Sequence, residues 1–473
     1  MNTRSLQVRE VRATHAQLRA LAARRPRQFP VLFDSAAPGV LSRYSILAAL
    51  PRASLVLRGD GRLEQHGIRL GAGTFLAALD EWWRAEQGPA DPSGLPFRGG
   101  WVVFLGYELA ASIETGLHLP PLARDAVCAA AIRVGGALVY DHAQQRCQLV
   151  AEAEAGDGLP AMAAALSEGN EPEAGRAAAA YAPGAIIEQD PEDFRRAVLQ
   201  AQAHIGQGDI YQANLSRYWR VRLEPGADAG LLYERLRQAN AAPFAALAHI
   251  VDMTLLSSSP ERLVRVTGSL VETRPIAGTR GRLGTPDADP PERLELLANP
   301  KERAEHVMLI DLERNDLGRI CEAGSVEVNE FMVTESYPNL HHIVSNVRGR
   351  LRRGTTPGET LRAVFPGGTI TGCPKYRCMQ IIAELEDGPR GAYTGSLGYL
   401  NRDGDMDFNI LIRTATLRGG ELQFRAGAGI VADSDWQREL AETRSKARGM
   451  LRAFGAGEGE GEGEGKDANG AGA

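Results

Sequence analysis

Short apolar runs recur through the first 150 residues, and turn-forming residues separate them. Runs of four to eight apolar or β-branched residues bounded by Gly, Pro or Asp are typical of strands. The pattern predicts strands over residues 30–35, 54–58 and 99–107, and a hairpin built from residues 132–141 and 146–151. We therefore expect the N-terminal third to be rich in β-sheet.

Two acidic helices are predicted in the second half of the chain. The first is expected to begin at Pro300, because Asn299 can cap it and proline suits the first helical position. The second is expected to begin at Ser434, where Gln437 three residues later completes a capping box, and to end near Gly455.

Each acidic helix carries a Glu-x-x-Glu pair, Glu302 with Glu305 and Glu439 with Glu442. A spacing of three places both carboxylates on one helix face. Two such faces brought together would hold Mg2+, which prefers a few oxygen ligands and open positions for substrate. A solvated helix face is the commoner explanation of one such pair.

Polar residues share one side of the strand predicted within residues 208–217, where Gln212, Asn214 and Ser216 alternate with apolar positions. Glycines with neighbouring hydroxyl residues then recur at strand ends and before helices, where backbone amides can approach an anion. Such turns are more often structural. The segments are residues 365–375, 391–399 and 427–431.

Composition narrows the class of protein. The 473 residues are 44% hydrophobic and 24% charged, which is ordinary for a soluble protein with a large core. The net charge is -6, of which the acidic tail after residue 454 contributes about -4, so nothing indicates nucleic-acid binding. We find no apolar run of about 18 residues and no leader, and the five cysteines lack a Cys-x-x-Cys spacing. A cytoplasmic protein without a membrane span is expected.

Composition also predicts the domain organisation. Residues 1–150 form an N-terminal region, residues 151–187 a linker rich in Ala, Gly, Glu and Pro, and residues 188–454 a catalytic region. The Gly/Glu tail of residues 455–473 is expected to be disordered.

The order and spacing of several motifs resemble those of the chorismate-utilising enzymes. This family comprises anthranilate synthase component I, aminodeoxychorismate synthase component I, and the isochorismate and salicylate synthases. The resemblance is strong over residues 186–453 and looser over residues 30–150. The matching segments are residues 259–261, 275–279, 302–316, 341–345, 365–375, 412–414 and 439–447.

The resemblance implies an α+β fold of the anthranilate synthase component I type, with two large antiparallel β-sheets packed face to face, helices outside and the active site between the sheets. It also implies that the four glutamates form the Mg2+ site, with Glu305 and Glu442 as ligands and Glu302 and Glu439 completing the pocket. The metal would hold the ring carboxylate of chorismate.

Further residues gain roles from the same resemblance. Glu261 matches the general acid that protonates the departing C4 hydroxyl of chorismate. His342 matches a histidine that lies beside the bound ring, although from the sequence His341 could equally be that histidine. A packed structural histidine is an alternative. The other positions implied to bind substrate are Thr279, Thr369, Tyr393, Arg413, Gly427 and Gly429, of which Tyr393 could instead be a core aromatic.

Gln212 bears on the reaction type. The family members that add water carry a lysine base there, whereas the amine-forming members carry glutamine. An amide cannot deprotonate water, so the nucleophile is expected to be ammonia. No glutaminase elbow is visible in the sequence, so ammonia would come from a glutamine amidotransferase partner or from solution.

Two amine-forming reactions remain. Tyr211, Gln212, Asn214 and Leu215, with the double glycine at residues 367–368, resemble the aminodeoxychorismate synthases, which aminate C4 on the route to p-aminobenzoate and folate. Ala277 resembles the anthranilate synthases, which aminate C2 and eliminate pyruvate. We expect C4 amination. A noncatalytic binding protein with the same fold is the alternative of a different class.

Asp34 and Ser35 align with an acidic residue and serine that border a tryptophan site in this family. Ser35 is therefore a possible tryptophan contact. An Asp-Ser turn after a strand is the structural alternative.

Overall fold

The computed structural model describes residues 6–37, 39, 41–71, 73–168, 185–224, 226–281, 300–337 and 340–455. This part of the chain forms 22 strands and ten α-helices, and its strand pairings are antiparallel. A mixed α+β class is therefore confirmed.

The strands are β1 (Leu6–Val11), β2 (Val31–Asp34), β3 (Tyr44–Arg58), β4 (Leu63–Gln65), β5 (Ile68–Arg69), β6 (Gly100–Leu105), β7 (Val127–Asp141), β8 (Arg146–Glu152), β9 (Ile186–Glu188), β10 (Gln212–Arg222), β11 (Phe244–Ile250), β12 (Met253–Ser259), β13 (Arg262–Thr267), β14 (Leu270–Thr273), β15 (Ile276–Gly281), β16 (Glu327–Tyr337), β17 (Leu340–Arg350), β18 (Gly372–Cys373), β19 (Ser396–Asn401), β20 (Met406–Asn409), β21 (Thr414–Arg418) and β22 (Glu421–Ile430).

The helices are α1 (His15–Arg24), α2 (Phe75–Glu86), α3 (Ala110–Ile113), α4 (Gly158–Glu168), α5 (Pro191–Gly206), α6 (Ala229–Ala239), α7 (Pro300–Gly318), α8 (Pro357–Val364), α9 (Lys375–Leu385) and α10 (Trp436–Phe454).

Two long strands, β3 and β7, join two sheets. The first half of β3 pairs with β2 and its second half with β4, while β7 pairs first with β6 and then with β8. The register of β3 against β7 shifts between Pro51 and Ala53, beside Leu50 at a φ of 60°. The order of the first sheet is β1-β8-β7-β3-β2-β11-β12-β21-β22-β10, and that of the second is β5-β4-β3-β7-β6-β19-β20-β13-β14-β17.

Apolar side chains from both sheets meet in one shared core. Val31 and Ala246 come from the first sheet, and Phe104 and Leu397 from the second, and all four are at most 2% exposed. Burying such side chains contributes about 1.5–3 kcal/mol each for the larger ones. The predicted face-to-face packing of two antiparallel sheets is thus confirmed.

Helices cover the outer faces of the two sheets. Leu18 of α1 and Met450 of α10 belong to the cluster on the first sheet, and Phe75 of α2 and Ile310 of α7 belong to the cluster on the second. Acidic helices α7 and α10 therefore cover different sheets, and their carboxylates can meet only where the two sheets adjoin.

The predicted strands of the N-terminal region are confirmed, although β3 begins at Tyr44, ten residues before the predicted start. Helix α7 begins at Pro300 as predicted, and Asn299 lies outside the described residues. The capping box predicted at Ser434 is wrong. Asp435 caps α10 by accepting from Arg438 N at 3.0 Å, and Ser434 Oγ accepts from Val431 N at 3.1 Å instead.

The segment predicted as a linker contains the end of β8, helix α4 and the start of β9, and its residues 169–184 lie outside the described part. The tail of residues 456–473 also lies outside it. Among the described residues, no helix combines the length and the apolar character that crossing a membrane requires.

Candidate active site

A cavity of about 770 Å³ opens where β10 and β22 of the first sheet approach helices α7 and α10. Residues that were predicted as site residues from separate sequence motifs lie together in its lining. Twelve of those residues line it: Gln212, Glu261, Glu302, Glu305, His342, Thr369, Tyr393, Arg413, Gly427, Gly429, Glu439 and Glu442. The side chain of Thr279, a thirteenth nominated position, lies outside the described residues.

Glu261 is the buried acid of this cavity. It follows Pro260 at the end of β12, is 5% exposed, and accepts a 2.8 Å hydrogen bond from Thr369 Oγ1. Burial raises the pKa of Glu261 to about 7, against the hydrogen bond from Thr369 and the positive charge of Arg413, which lower it. A carboxyl group that titrates near neutrality can serve as a general acid.

A second group of buried charges lies on the last turns of α7, and the sequence reasoning missed it. Glu313 is 5% exposed, and burial together with the charge of Asp316 raises the pKa of Glu313 to about 8. Lys375 pairs with Asp316 at 2.5 Å. A Cβ on Gly368, next to Thr369, would lie 3.6 Å from Glu313 Oε1, which places this carboxyl behind the loop that touches Glu261.

The glutamates of α7 and α10 face the cavity from its two sides. Glu305 Oε1 accepts from Gln212 Nε2 at 2.9 Å, and Glu442 pairs with Lys446 at 2.8 Å. Within the described residues, no three His, Cys, Asp or Glu side chains lie close enough to one another to hold a metal ion. The donor chemistry nevertheless fits Mg2+, which proteins hold through one or two carboxylates while water and substrate oxygens complete the shell.

Two glycines of β22 make room for two amides of β10. Gly429 lies opposite Asn214 in the strand register, and a Cβ there would stand 2.5 Å from Gln212 Nε2. A Cβ on Gly427 would stand 2.7 Å from Asn214 Oδ1 and 2.6 Å from the hydroxyl of Tyr393. Larger residues at either position would therefore displace the amide side chains that line the cavity.

The backbone of the same glycines faces away from β10. Asn214 N donates to Thr371 O, and Ser216 N donates to Glu386 Oε1, on the side of β10 opposite β22. Because antiparallel pairs alternate in their bonding direction, the paired Gly429 and Gly427 point their own backbone groups outward. Their amides therefore point away from β10, and their contact with a substrate carboxylate stays a prediction.

Arg413 supplies a cation to the cavity. It stands between β20 and β21 with a φ of 50°, a left-handed conformation uncommon for a residue other than glycine. The side chain is partly buried, and burial lowers the pKa of Arg413, although the neighbouring Glu261 opposes this shift. A guanidinium group in this position can bind a carboxylate through two parallel hydrogen bonds.

Tyr393 is 6% exposed, and burial raises its pKa to about 12, so the phenol is a neutral hydrogen-bond donor. The guanidinium carbon of Arg390 lies 5.5 Å from the ring centroid, and Glu386 pairs with Arg390 at 2.6 Å. Arg390 and Glu386 were not nominated from the sequence. They position the phenol from behind the cavity.

His342 lies on β17, is 2% exposed and lines the cavity. The side chain of His341 lies outside the described residues. Neighbouring residues of a strand point to opposite faces, which favours His342 as the histidine beside a ligand. Ala277 pairs with Ile343 through the backbone of β15, and its side chain is also outside the described part.

Asp34 and Ser35 lie in a separate buried cluster. Asp34 Oδ2 accepts from Tyr233 at 2.9 Å and from Arg237 at 3.1 Å, both on α6. Ser35 Oγ donates to Tyr44 O at 2.7 Å. The two bonds of Asp34 join the N-terminal region to the catalytic region. The tryptophan contact at Ser35 stays a prediction.

Known proteins are similar to this chain over most of its length. Residues 54–452 match the family described as chorismate binding enzyme. The aminodeoxychorismate synthase component 1 of Bacillus subtilis is 38% identical over 445 residues, covering 90% of this chain and 92% of that protein. The anthranilate synthase component 1 of Pseudomonas aeruginosa is also 38% identical, covering 87% of each chain.

Among solved structures, anthranilate synthase component I from Streptococcus pneumoniae superposes with a TM-score of 0.76 at 32% identity. The superposition covers 87% of this chain and 93% of that one. Since the family match spans most of the sequence and includes every residue that lines the cavity, the protein belongs to the chorismate-binding enzyme family.

Proposed function

We propose that this enzyme aminates chorismate at C4 with ammonia, in the cytoplasm and with Mg2+, giving 4-amino-4-deoxychorismate for p-aminobenzoate and folate synthesis. The observation that carries the proposal is the pair of Gln212 and Glu261 in one cavity. Glu261 is an acid that titrates near neutrality, whereas Gln212 cannot act as a base toward water. Ammonia suits this combination, because it can attack carbon without first being deprotonated by a base.

The cavity offers separate positions for the two carboxylates of chorismate. Arg413, the hydroxyl of Tyr393 and the outward amides of Gly427 and Gly429 would bind the enolpyruvyl carboxylate. Mg2+, when bound, would neutralise the ring carboxylate from the side of the glutamates. Held at both ends, the ring would present its C4 hydroxyl to Glu261.

Glu261 would then give its proton to the departing hydroxyl. Thr369 Oγ1 donates to Glu261 Oε1, and the backbone of Ile276 also bonds to this carboxyl, so the acid is held in one orientation. A proton delivered in this way converts a poor leaving group, hydroxide, into water. Its desolvated surroundings keep Glu261 protonated up to about neutral pH.

Amination at C2, with loss of pyruvate, is the second candidate. Relatives named for either reaction are 38% identical to this chain, so overall similarity does not separate the two. Ala277 favours C2 amination, because the C4-aminating members often carry a lysine at that position. The sequence Tyr211-Gln212-Ala213-Asn214-Leu215 favours C4 amination.

A partner glutamine amidotransferase subunit would supply the ammonia. The relatives are named component 1, which implies a second component in those proteins. The five cysteines of this chain are free, and four of them are buried. None was nominated as a glutaminase nucleophile, so the present chain would need ammonia from outside.

A product assay tests the proposal. Purified protein receives chorismate, Mg2+ and ammonium, with and without aminodeoxychorismate lyase, and Glu261→Gln is the inactive control. If p-aminobenzoate forms only with the lyase, C4 is aminated. Anthranilate and pyruvate formed without the lyase would identify C2 amination instead. No turnover of chorismate would indicate a noncatalytic binding protein.

A further inference from the structure

The turn that carries Tyr393 into the cavity rests on the N-terminal region of the chain. Residues 390–393 form this turn, in which Tyr393 N donates to Arg390 O at 3.1 Å. Gly391 has a φ of 61°, a left-handed conformation that glycine adopts without steric cost. Because Tyr393 is the last residue of the turn, the backbone of residues 390–392 decides where its side chain enters the cavity.

Two residues that follow β6 hold this turn through its backbone. Glu108 Oε1 accepts from Arg390 N at 2.7 Å and from Gly391 N at 3.1 Å. Tyr107 N donates to Gly391 O at 2.8 Å. Arg390 is 5% exposed, and buried backbone N–H groups are almost always paired. Loss of the Glu108 acceptor would therefore oblige the turn to change its conformation.

Glu108 is a titratable group that the proposed reaction does not use. Among the described residues it is not one of those that line the cavity. Burial raises the pKa of Glu108 to about 7, although the backbone N–H groups of Gly391 and Arg390 and the charge of Arg390 lower it. An uncharged amide costs less to bury than a carboxylate and could accept the same bonds. The position of the Glu108 oxygen thus matters more than its charge.

We infer that Glu108 is a positioning residue for substrate binding, because its hold on the Arg390–Gly391 backbone sets the place of the Tyr393 hydroxyl. The inference rests on the proposed function, in which that hydroxyl binds a carboxylate of chorismate. The hydroxyl lies against β22, since a Cβ on Gly427 would stand 2.6 Å from it. A shift of the turn would move the hydroxyl away from this strand and so from the proposed carboxylate position.

The side chain of Arg390 is held by other groups. Arg390 Nε and Nη2 donate to Glu386 at 2.9 and 2.6 Å, and Nη2 also donates to Asn214 O at 2.6 Å. A substitution of Glu108 removes none of these acceptors. The effect of Glu108 on Tyr393 therefore passes through the backbone of the turn, and substrate binding in the catalytic region depends on a residue of the N-terminal region.

Glu108→Met and Glu108→Gln test the inference as a matched pair. Both side chains have nearly the length of glutamate, but only glutamine keeps an oxygen that can accept the two backbone bonds. The Kd of chorismate is measured by calorimetry on the full chain with Mg2+ and without ammonium, and the KM for chorismate is measured at saturating ammonium. Glu108→Met should raise both about tenfold, whereas Glu108→Gln should stay within about twofold of the unsubstituted protein.

A double substitution tests whether the effect passes through the phenol. In a Tyr393→Phe background, the hydroxyl that Glu108 positions is absent. Glu108→Met should then change the Kd of chorismate by less than about twofold, because two residues that act through one contact are not additive.

Asp80→Leu is the control for a general loosening between the two regions. Asp80 is 7% exposed and, like Glu108, is a carboxyl of the N-terminal region that accepts a backbone bond from the catalytic region, from Gly358 N at 2.7 Å. It also accepts from Thr356 Oγ1 at 2.6 Å. None of the described residues of α8, where Gly358 lies, lines the cavity. Asp80→Leu should therefore leave the Kd of chorismate within about twofold.

If Glu108→Met does not fold, Glu108→Ala removes the same acceptors without filling their space and serves in its place. The positioning role is overturned by an unchanged Kd in this variant, by an equal rise in Glu108→Gln or Asp80→Leu, or by a full rise in the Tyr393→Phe background. An unsubstituted protein that binds chorismate but makes no amine overturns the proposed function alone, since the Kd values still decide the role of Glu108. One that does not bind chorismate overturns both.

Discussion

Thr369 Oγ1 donates a 2.8 Å hydrogen bond to Glu261 Oε1 inside the cavity. This bond stabilises the carboxylate form and so lowers the pKa of Glu261, against burial, which raises it to about 7. Thr369→Val removes the bond and should raise that pKa further, by about one unit for a bond of roughly 1–1.5 kcal/mol. A higher pKa keeps the acid protonated longer, so the alkaline limb of the kcat profile should move upward in pH.

The pH dependence of kcat between pH 5 and 9 checks this shift. Thr115→Val, at an exposed threonine, is the control and should leave the limb in place. A limb that stays fixed in Thr369→Val would show that Glu261 is not the group whose protonation limits turnover.

Sequence and structure agree where local pattern suffices. Apolar runs bounded by turn residues located β6 and β7, and the Glu-x-x-Glu spacing placed Glu302 and Glu305 on one face of α7, because both signals depend on neighbours within one element. The spacing alone did not predict that the two acidic pairs share one cavity. That prediction came from the family resemblance.

What the sequence could not predict depends on distant partners. Ser434 and Asp435 are both good capping residues, and in the structure it is Asp435 that accepts the hydrogen bond from the first turn of α10. Glu313 resembles any charged helical residue until Lys375 and Asp316 are seen beside it. The sequence likewise could not predict that Asn214 Oδ1 is buried without a hydrogen-bond partner among the described residues, because this depends on the pairing of β22 with β10.

Glu313→Gln should stabilise the protein at alkaline pH. Burial and the charge of Asp316 raise the pKa of Glu313 to about 8 in the folded state, above the ordinary value of 4.5. A raised pKa means that the stability of the folded state is fully present below pH 4.5 and is lost as pH rises through 8. Glutamine has no charge to bury, so this loss should disappear in the variant.

Unfolding by denaturant at pH 5 and at pH 8.5 measures the effect. The unfolding free energy of Glu313→Gln relative to the original protein should rise by about 2 kcal/mol between the two pH values. Glu384→Gln, at an exposed glutamate on α9, should show no such rise. Equal pH dependence in all three proteins would contradict a strained carboxyl at this position.

Arg413→Lys should weaken chorismate binding although it preserves the charge. The planar guanidinium can form two parallel bonds with a carboxylate, whereas an ammonium group offers a single point of charge. We expect the KM for chorismate to rise about tenfold, consistent with the loss of roughly 1.4 kcal/mol. Steady-state kinetics at saturating ammonia measure it, with Arg353→Lys at an exposed position as control. A change in kcat alone would place Arg413 at the reacting bond instead of at the carboxylate.

Glu442→Gln should weaken the response of the enzyme to Mg2+. The exposed Glu442 bonds to Lys446 at 2.8 Å, and a surface pair of this kind contributes about 0–1 kcal/mol to folding, so the variant should remain folded. Losing one negatively charged oxygen ligand should raise the Mg2+ concentration for half-maximal activity at least tenfold. A titration of activity with Mg2+ tests this, beside thermal unfolding of both proteins. An unchanged titration would remove Glu442 from the proposed metal site.

Gly429→Ala tests the space that β22 leaves for Gln212. The added Cβ would stand 2.5 Å from Gln212 Nε2, inside van der Waals contact, so the amide must move and its 2.9 Å bond to Glu305 must lengthen. Because Gln212 lines the cavity and its amide would no longer keep its present direction, kcat/KM for ammonia should fall at least tenfold. Gly206→Ala is the matched control, since a Cβ there meets nothing within 4 Å and lies in helix α5. That control should keep full activity and gain up to about 1 kcal/mol in stability from helix propensity. If both alanine variants kept full activity, the orientation of Gln212 would not matter for the reaction.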